Sequence, residues 1–345
     1  MIVRKYVNVF RLLYVTLPHI IVLTLWPTIV TLLFEVGGFR WIKIPWLPLS
    51  VMGIAVAFFA GFKNNNAYER LWEARKIWGG IVNSSRAYGS SIRAYVGNQF
   101  TVEDLDNEAL SHIHKRIIHR HIGWLYALRK QMLIPAQWEH FNQGGRVART
   151  IKQRMKSYGI KISLNGAEKE DLHEHLHHEE VDHVLKFSNT ATHIIDKQSQ
   201  ELKHLRSENL IDDFRHMELQ NQLNNLYTLQ GQCERIKKFP LPRQYGSISL
   251  IFIVIFIMLL PFGMITEFDE MGDLRGWLTI PFSLVVGWIF ILMELVADSS
   301  ENPFEGNGNS IPMLSLCRTI EIDLKQMLGD TDIPPPIEPI NDVLR

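Results

Sequence analysis

Charged and uncharged residues are segregated along this chain. Uncharged, mostly apolar stretches run from Leu12 to Phe34, Pro45 to Phe62, Gln244 to Thr266 and Gly276 to Met293, each 18 to 23 residues long. A helix of about 20 apolar residues crosses roughly 30 Å of hydrocarbon, so the pattern predicts four transmembrane helices. The expected layout is an N-terminal segment (residues 1–11), helices 1 and 2 (12–62), a polar domain (63–243), helices 3 and 4 (244–293) and a C-terminal segment (294–345). The polar domain reads as helical throughout. Val102 to Leu110 opens after Thr101 with acidic residues in its first turn. Ile113 to Met132 carries apolar residues three and four apart, Glu168 to Phe187 is long and polar, and Asn209 to Ile236 places Leu219, Leu223, Leu226 and Leu229 at helical spacing. Gly144-Gly145 and Asn165-Gly166 mark breaks. The predicted class is an all-α membrane protein with a large cytosolic helical domain.

Charge sets the orientation. Thirty-six basic residues balance 36 acidic ones, but Lys and Arg near span ends are retained on the cytoplasmic side. Arg4, Lys5 and Arg11 precede the first span, Lys63, Arg70, Arg75 and Lys76 follow the second, and Arg235, Lys237, Lys238 and Arg243 precede the third. All three groups belong inside, with both termini cytoplasmic in an inner membrane. Glu267, Asp269, Glu270 and Asp273 suit the outer face; Arg40 and Lys43 dissent. The first apolar run is too long for a cleavable signal and lacks a cleavage pattern, so it is expected to be an anchor. Cys233 and Cys317 are distant and show no metal or redox spacing. Pro334-Pro335-Pro336 suggests an extended arm. No nucleic-acid partner and no cofactor are expected, and no phosphate-binding loop supports ATP coupling.

The second span continues into polar sequence without a proline or a turn signal. Residues four apart on a helix lie about 40° from register, so Ile54, Phe58 and Phe62 form one stripe. A stripe of this kind ordinarily packs against another span. Here it is followed by Asn64, Asn65 and Asn66 and then by the dense run Tyr68 to Arg75, as a pore-lining helix leaving the membrane would require. Glu69, Arg70, Glu73 and Arg75 suit ion pairs within and between subunits, and Trp72 and Trp78 suit packing.

"FKNNNAYERLWEARKIWGGIVNSSRAY" (Phe62 to Tyr88) resembles the signature of the bestrophin family. "LQGQCERIKKFPLPRQY" (Leu229 to Tyr245) resembles the segment entering that family's third span, and "SSENPFEGNGNSIPM" (Ser299 to Met313) its Asn-Pro-Phe-Gly region. The likeness covers nearly the whole chain except residues 142–189. A short chain without a long tail is similar to the bacterial branch. The resemblance implies a homopentameric ion channel: four further copies of this chain as partners, a lipid bilayer around them, and five copies of the second helix around a central path. It also implies a neck at Ile54, Phe58 and Phe62, the stripe found from spacing. Rings of these side chains would gate by expelling water, and Asn64, Asn65 and Asn66 would line the mouth. A second constriction at the cytosolic exit falls on Met217, a position that packed core would equally explain.

Selectivity is not set by sequence. Phe edges toward the axis would favour anions and faces would favour cations. Similarity to animal members with an Ile, Phe, Phe neck favours chloride; a monovalent cation (sodium or potassium) is the alternative. Animal members hold Ca²⁺ after the fourth span, but here Asn302-Pro303-Phe304 is followed by Glu305, Gly306, Asn307, Gly308, Asn309 and Ser310. Ca²⁺ needs six to eight oxygens, several of them charged. Tight calcium binding is therefore not expected, with Asp298, Glu301 and Glu305 left as weak ligands or a solvated helix end.

The rival from another class is a membrane-bound histidine-cluster metalloenzyme. Fourteen His are present. Asp171 to His183 sets His173 with His177, His178 with Asp182, and Glu179 with His183 at i, i+4, the spacing of two ligands on one metal. His112 to His121 adds four more. A mixed Glu/His run on a polar helix is more often a solvated face, and a passive pore needs no catalytic group.

Overall fold

The computed structural model describes residues 1–6, 8–160, 169–272 and 275–345. The expected break at Asn165-Gly166, the expected helix start at Glu168 and the outer-face Asp273 lie outside them. The described chain is helical and divides into two compact units: Arg4–Arg70 with Pro240–Glu301, and Met1–Val3 with Leu71–Phe239 and Asn302–Arg345.

The first unit contains α1 (Val9–Glu35), the N-terminal part of α2 (Trp46–Tyr95), α9 (Arg243–Asp269) and α10 (Thr279–Ser300). All four helices are long and apolar enough to cross a membrane. Hydrocarbon is as apolar as leucine, so close backbone approach and polar contacts must hold such helices together. Both are present. A Cβ added at Gly263 would lie 2.4 Å from Leu49 Cδ2. Trp26 Nε1 donates to the Met258 carbonyl at 3.0 Å, and Trp288 Nε1 donates to Thr16 Oγ1 at 3.2 Å. Leu49, Val56 and Ala60 of α2 pack with Ile253, Phe256 and Leu260 of α9. Arg40 and Lys43, the basic residues that dissent from the charge rule, both pair with Asp269, so their charge is locally met.

Lys63 and Glu294 form a buried ion pair between α2 and α10; the side chains are only 5% and 10% exposed. Ser249 Oγ of α9 donates to the second Glu294 oxygen at 3.2 Å. One residue further, Asn64 Nδ2 donates to the Ala60 and Met293 carbonyls, each at 2.9 Å. Three helices are thus tied at one level.

The second unit holds the remainder of α2 with α3 (Asn107–Leu133), α4 (Gly145–Ser157), α5 (Lys169–His173), α6 (His178–Val184), α7 (Thr190–Ser207), α8 (Asp213–Lys238) and α11 (Met313–Leu328). Three expectations are corrected here. The helix expected from Val102 starts only at Asn107: the Asn98 amide brackets Leu105, donating to its carbonyl at 2.7 Å and accepting from its N–H at 3.2 Å. Asp106, not Thr101, caps the helix by accepting from Ala109 N at 2.6 Å. The helix expected over 168–187 is two short ones, whose Leu172, Leu176, Val181 and Val184 are buried. Asn209 does not begin a helix but ends one: at φ 56° it lets Leu210 N donate to the Leu205 carbonyl at 3.0 Å, the left-handed closure that Asn tolerates. Asp212 caps α8 through Arg215 N at 2.9 Å.

The loop after α10 is held by buried charge. Glu305 accepts from Phe141 N at 3.3 Å and lies 2.8 Å from His140 Nδ1. Neighbouring Glu139 pairs with Lys237 at 2.6 Å; burial pushes the Glu139 carboxyl up and the Lys237 ammonium down. Residues 1–3 and 342–344 close over this loop: Ile2 N donates to the Gly308 carbonyl at 2.8 Å, Val3 N to Asp342 and Leu344 N to Met1.

Removing one partner of a buried ion pair leaves an uncompensated charge, at a cost of about 3–5 kcal/mol. Glu294→Ala is therefore expected to lower thermal stability in detergent sharply, and Lys63→Met with Glu294→Gln to recover most of the loss; equal losses in single and double variants would refute the pairing. A second expectation concerns pH. His121 lies between Tyr88 and Trp124, with ring centroids at 5.3 and 5.2 Å, and His175 stacks on Tyr126 at 5.3 Å. Burial lowers their imidazoles from 6.5 to about 3 and about 4, so both are neutral in the fold. Below pH 6.5 the unfolded chain takes up protons that the folded chain refuses. Stability should therefore fall, by up to about 1.4 kcal/mol per pH unit per imidazole, levelling near pH 4 for His175 and near 3 for His121. Denaturant midpoints between pH 7 and 4 should show this slope, and His121→Phe should reduce it.

Candidate ion pathway on the second helix

α2 is one unbroken helix from Trp46 to Tyr95. Its residues turn about 100° each, so Leu49, Val56, Ala60, Lys63 and Ala67 share one face. All five are buried. Ile54, Phe58 and Phe62 fall on the opposite face and are 71%, 67% and 53% exposed. The stripe predicted from spacing is therefore turned away from the protomer's own helices, although spans ordinarily use such stripes for packing. Phe58 and Phe62 touch along the helix with centroids 5.8 Å apart. Phe59, one position over, packs edge-on against Phe252 of α9 at 5.4 Å.

The three asparagines do not act alike. Asn64 is committed to the α10 contact on the anchored face. Asn66 is half-buried on a flank, and Asn65 is exposed and continues the stripe. Asn65 Nδ2 donates to Glu69 Oε1 at 2.9 Å, and the exposed Glu69 lies on the same face one turn further. The ion pair expected in this run forms at Glu73, with Arg235; Glu69 has no ion pair among the described residues. Sequence reasoning did not single out Lys63, Glu294 and Ser249 as the anchor. Its only signal was a cation just past the second span and a carboxylate just past the fourth.

Met217 lies in the first turns of α8, is 65% exposed and follows Phe214, 83% exposed; it is not core of this protomer. The candidate metal ligands are dispersed. His173 ends α5 and His177 precedes α6, so the i, i+4 spacing is not on one helix. His173 faces His178 instead, with centroids at 4.2 Å, while Asp182 pairs with Lys169 at 2.5 Å. A cleft nearby is lined by His183, His204, Glu180 and Glu201, but Arg120 occupies these carboxylates, bonding Glu180 at 2.5 and 3.0 Å. Among the described residues no three His, Cys, Asp or Glu side chains converge on a metal-sized site. Asp298 lies in the last turn of α10, Glu301 follows it and is buried, and Glu305 is held by His140 and Phe141.

A comparison with known proteins agrees with the architecture. The chain is similar to the voltage-dependent anion channel-forming protein YneE of Escherichia coli strain K12, 26% identical over 299 residues, covering 86% of this chain and 82% of that one. It is also similar to the voltage-dependent anion channel-forming protein RSc3414 of Ralstonia nicotianae, 23% identical over 342 residues, 96% of each. The crystal structure of a bacterial bestrophin homolog from Klebsiella pneumoniae superposes with a TM-score of 0.72 at 23% identity, covering 90% of this chain and 97% of that chain; it shares the fold. The family described as Bacterial/Fungal Bestrophin protein matches residues 5–326, and with four membrane-length helices and this fold the chain belongs to that family.

Proposed function

We propose that five copies of this chain form a passive channel for monovalent ions, chloride favoured, with Ile54, Phe58 and Phe62 of α2 ringing the axis as a hydrophobic neck. One observation carries the proposal: the apolar stripe faces away from the protomer while the opposite face is anchored through Lys63. Such a ring admits ions only when wetted, which makes it a gate rather than a binding site. The names of the Escherichia coli and Ralstonia relatives support anion passage. The oligomer number rests on the resemblance to bestrophins.

Asn65 then lies on the mouth beneath the neck, with Asn66 at its flank and Asn64 a structural tie. Exposed Met217 suits an exit constriction made between copies. The basic groups near the span ends support a cytoplasmic side for the helical unit and both termini in a bacterial inner membrane, and the backbone bonds from Val3 to Asp342 and from Leu344 to Met1 are consistent with that reading. No catalysis is proposed: Glu180 and Glu201 are bound by Arg120 and Asp182 by Lys169, and among the described residues no three His, Cys, Asp or Glu side chains converge on a metal-sized site. A tight calcium clasp is not proposed either: both Glu305 oxygens already have partners, and the following residues are neutral.

Bilayer recording of the purified protein under a salt gradient tests conduction, and the sign of the reversal potential separates chloride from sodium or potassium. Current should persist in a calcium chelator. The triple variant Ile54→Ala, Phe58→Ala, Phe62→Ala should conduct more or stay open. Unchanged conductance and open probability would remove the neck, and absence of any current in the parent protein would remove the channel.

A further inference from the structure

The neck carries no formal charge, so ring orientation alone biases the sign of the ion there, and a charged group nearby on the same path adds to or opposes that bias. One ionisable side chain shares its face of α2 within the same unit. Glu69 follows Phe62 by seven residues, two helical turns and about 10 Å of rise. That places it under Phe62 in phase, opposite the buried Lys63 and Ala67. It is exposed, it forms no ion pair among the described residues, and its carboxylate accepts a hydrogen bond from Asn65. That bond holds the carboxylate along the stripe. Arg235, the basic partner in this stretch, is bonded to Glu73.

We infer that Glu69 is a specificity-determining residue of the ion path: five carboxylates, each held by Asn65, form a negative ring beneath the neck that shifts permeation toward cations and so tempers the chloride preference proposed above. The inference rests on the channel proposed above and adds to it a charged group that biases ion sign. Rings of acidic side chains are the device by which cation channels favour cations. The Glu69 ring limits how far any neck-based chloride preference can go, and its removal moves the channel toward anions whichever ion the parent prefers.

The test is the reversal potential of the reconstituted full-length channel under a potassium chloride gradient. Glu69→Gln is expected to lower the cation-to-anion permeability ratio by roughly three- to tenfold, and Glu69→Lys to lower it further. A chemical series checks the same quantity on assembled channels. Glu69→Cys is labelled after reconstitution with methanethiosulfonates: the cysteine thiolate attacks the reagent's alkylthio sulfur, the S–S bond of the thiosulfonate breaks, and a mixed disulfide forms with release of methanesulfinate. A sulfonate-bearing reagent should restore the parent ratio and an ammonium-bearing one should lower it further, as Glu69→Lys does. The native thiols do not interfere, because Cys233 and Cys317 are buried and pushed up to about 12 by burial. If Glu69→Gln fails to assemble, the labelled Cys channel decides alone. An unchanged ratio in Gln, Lys and both labelled forms, with the neck triple variant still altering current, overturns the Glu69 inference and leaves the channel standing. A neck variant without effect removes the neck, and absence of any current in the parent protein overturns the channel reading itself.

Discussion

Lys63 and Glu294 settle a problem that apolar side chains cannot. In hydrocarbon, lipid is as good a neighbour for Ile or Phe as another helix is, so α2 could turn about its axis at little cost if apolar contacts alone positioned it. A turn of one residue, about 100°, would pull Lys63 from Glu294 and leave two charges buried apart, at a cost of several kcal/mol. Asn64 adds its bonds to α10 on the same side. Because α2 runs unbroken through this level, fixing the phase at Lys63 fixes it for Ile54, Phe58 and Phe62 above and for Asn65 and Glu69 below.

That division explains what the sequence could and could not reveal. Span lengths, the unbroken α2 and the stripe at 54, 58 and 62 are properties of spacing within one segment, and spacing is legible. The direction the stripe faces depends on a partner 231 residues away, and nothing local to Lys63 names Glu294. The boundary at Asn107 failed for a related reason. Thr101 and Asp106 are both acceptable caps, each followed by an acidic residue, and the Asn98 amide, by closing on Leu105, decides between them. Asn209 was legible in principle, since Asn is one of few residues that accept a left-handed φ, but a polar residue before an apolar period reads equally well as a start.

The loop after α10 shows a comparable substitution of one kind of polar contact for another. Where a metal site would need several free carboxylate oxygens converging, Glu305 meets a histidine ring and a backbone N–H, with Glu139 and Lys237 paired beside it. Burial opposes the charge on Glu139 and on Lys237 alike, and their mutual attraction offsets that cost only while both are present. A network of this kind ties the loop to the helical unit through side chains alone. The strands of chain at 1–3 and 342–344 bond to each other and to Gly308 across it, so the loop is fixed from the outside as well.

In the proposed assembly, an apolar neck and a charged mouth would make separable demands on an ion. The neck opposes entry of any ion in proportion to the water it must lose, which depends on ring width and wetting and hardly on sign. Glu69 lies about 10 Å along the helix from Phe62, a little more than one screening length in a water-filled mouth, so its field sets which ions gather there more than how high the neck barrier stands. The anchored face of α2 keeps these two functions in one line: any rotation that moved the phenylalanines off the axis would move the carboxylates with them. Gating and selectivity are then distributed along one helix by depth, and both depend on the phase that Lys63 imposes.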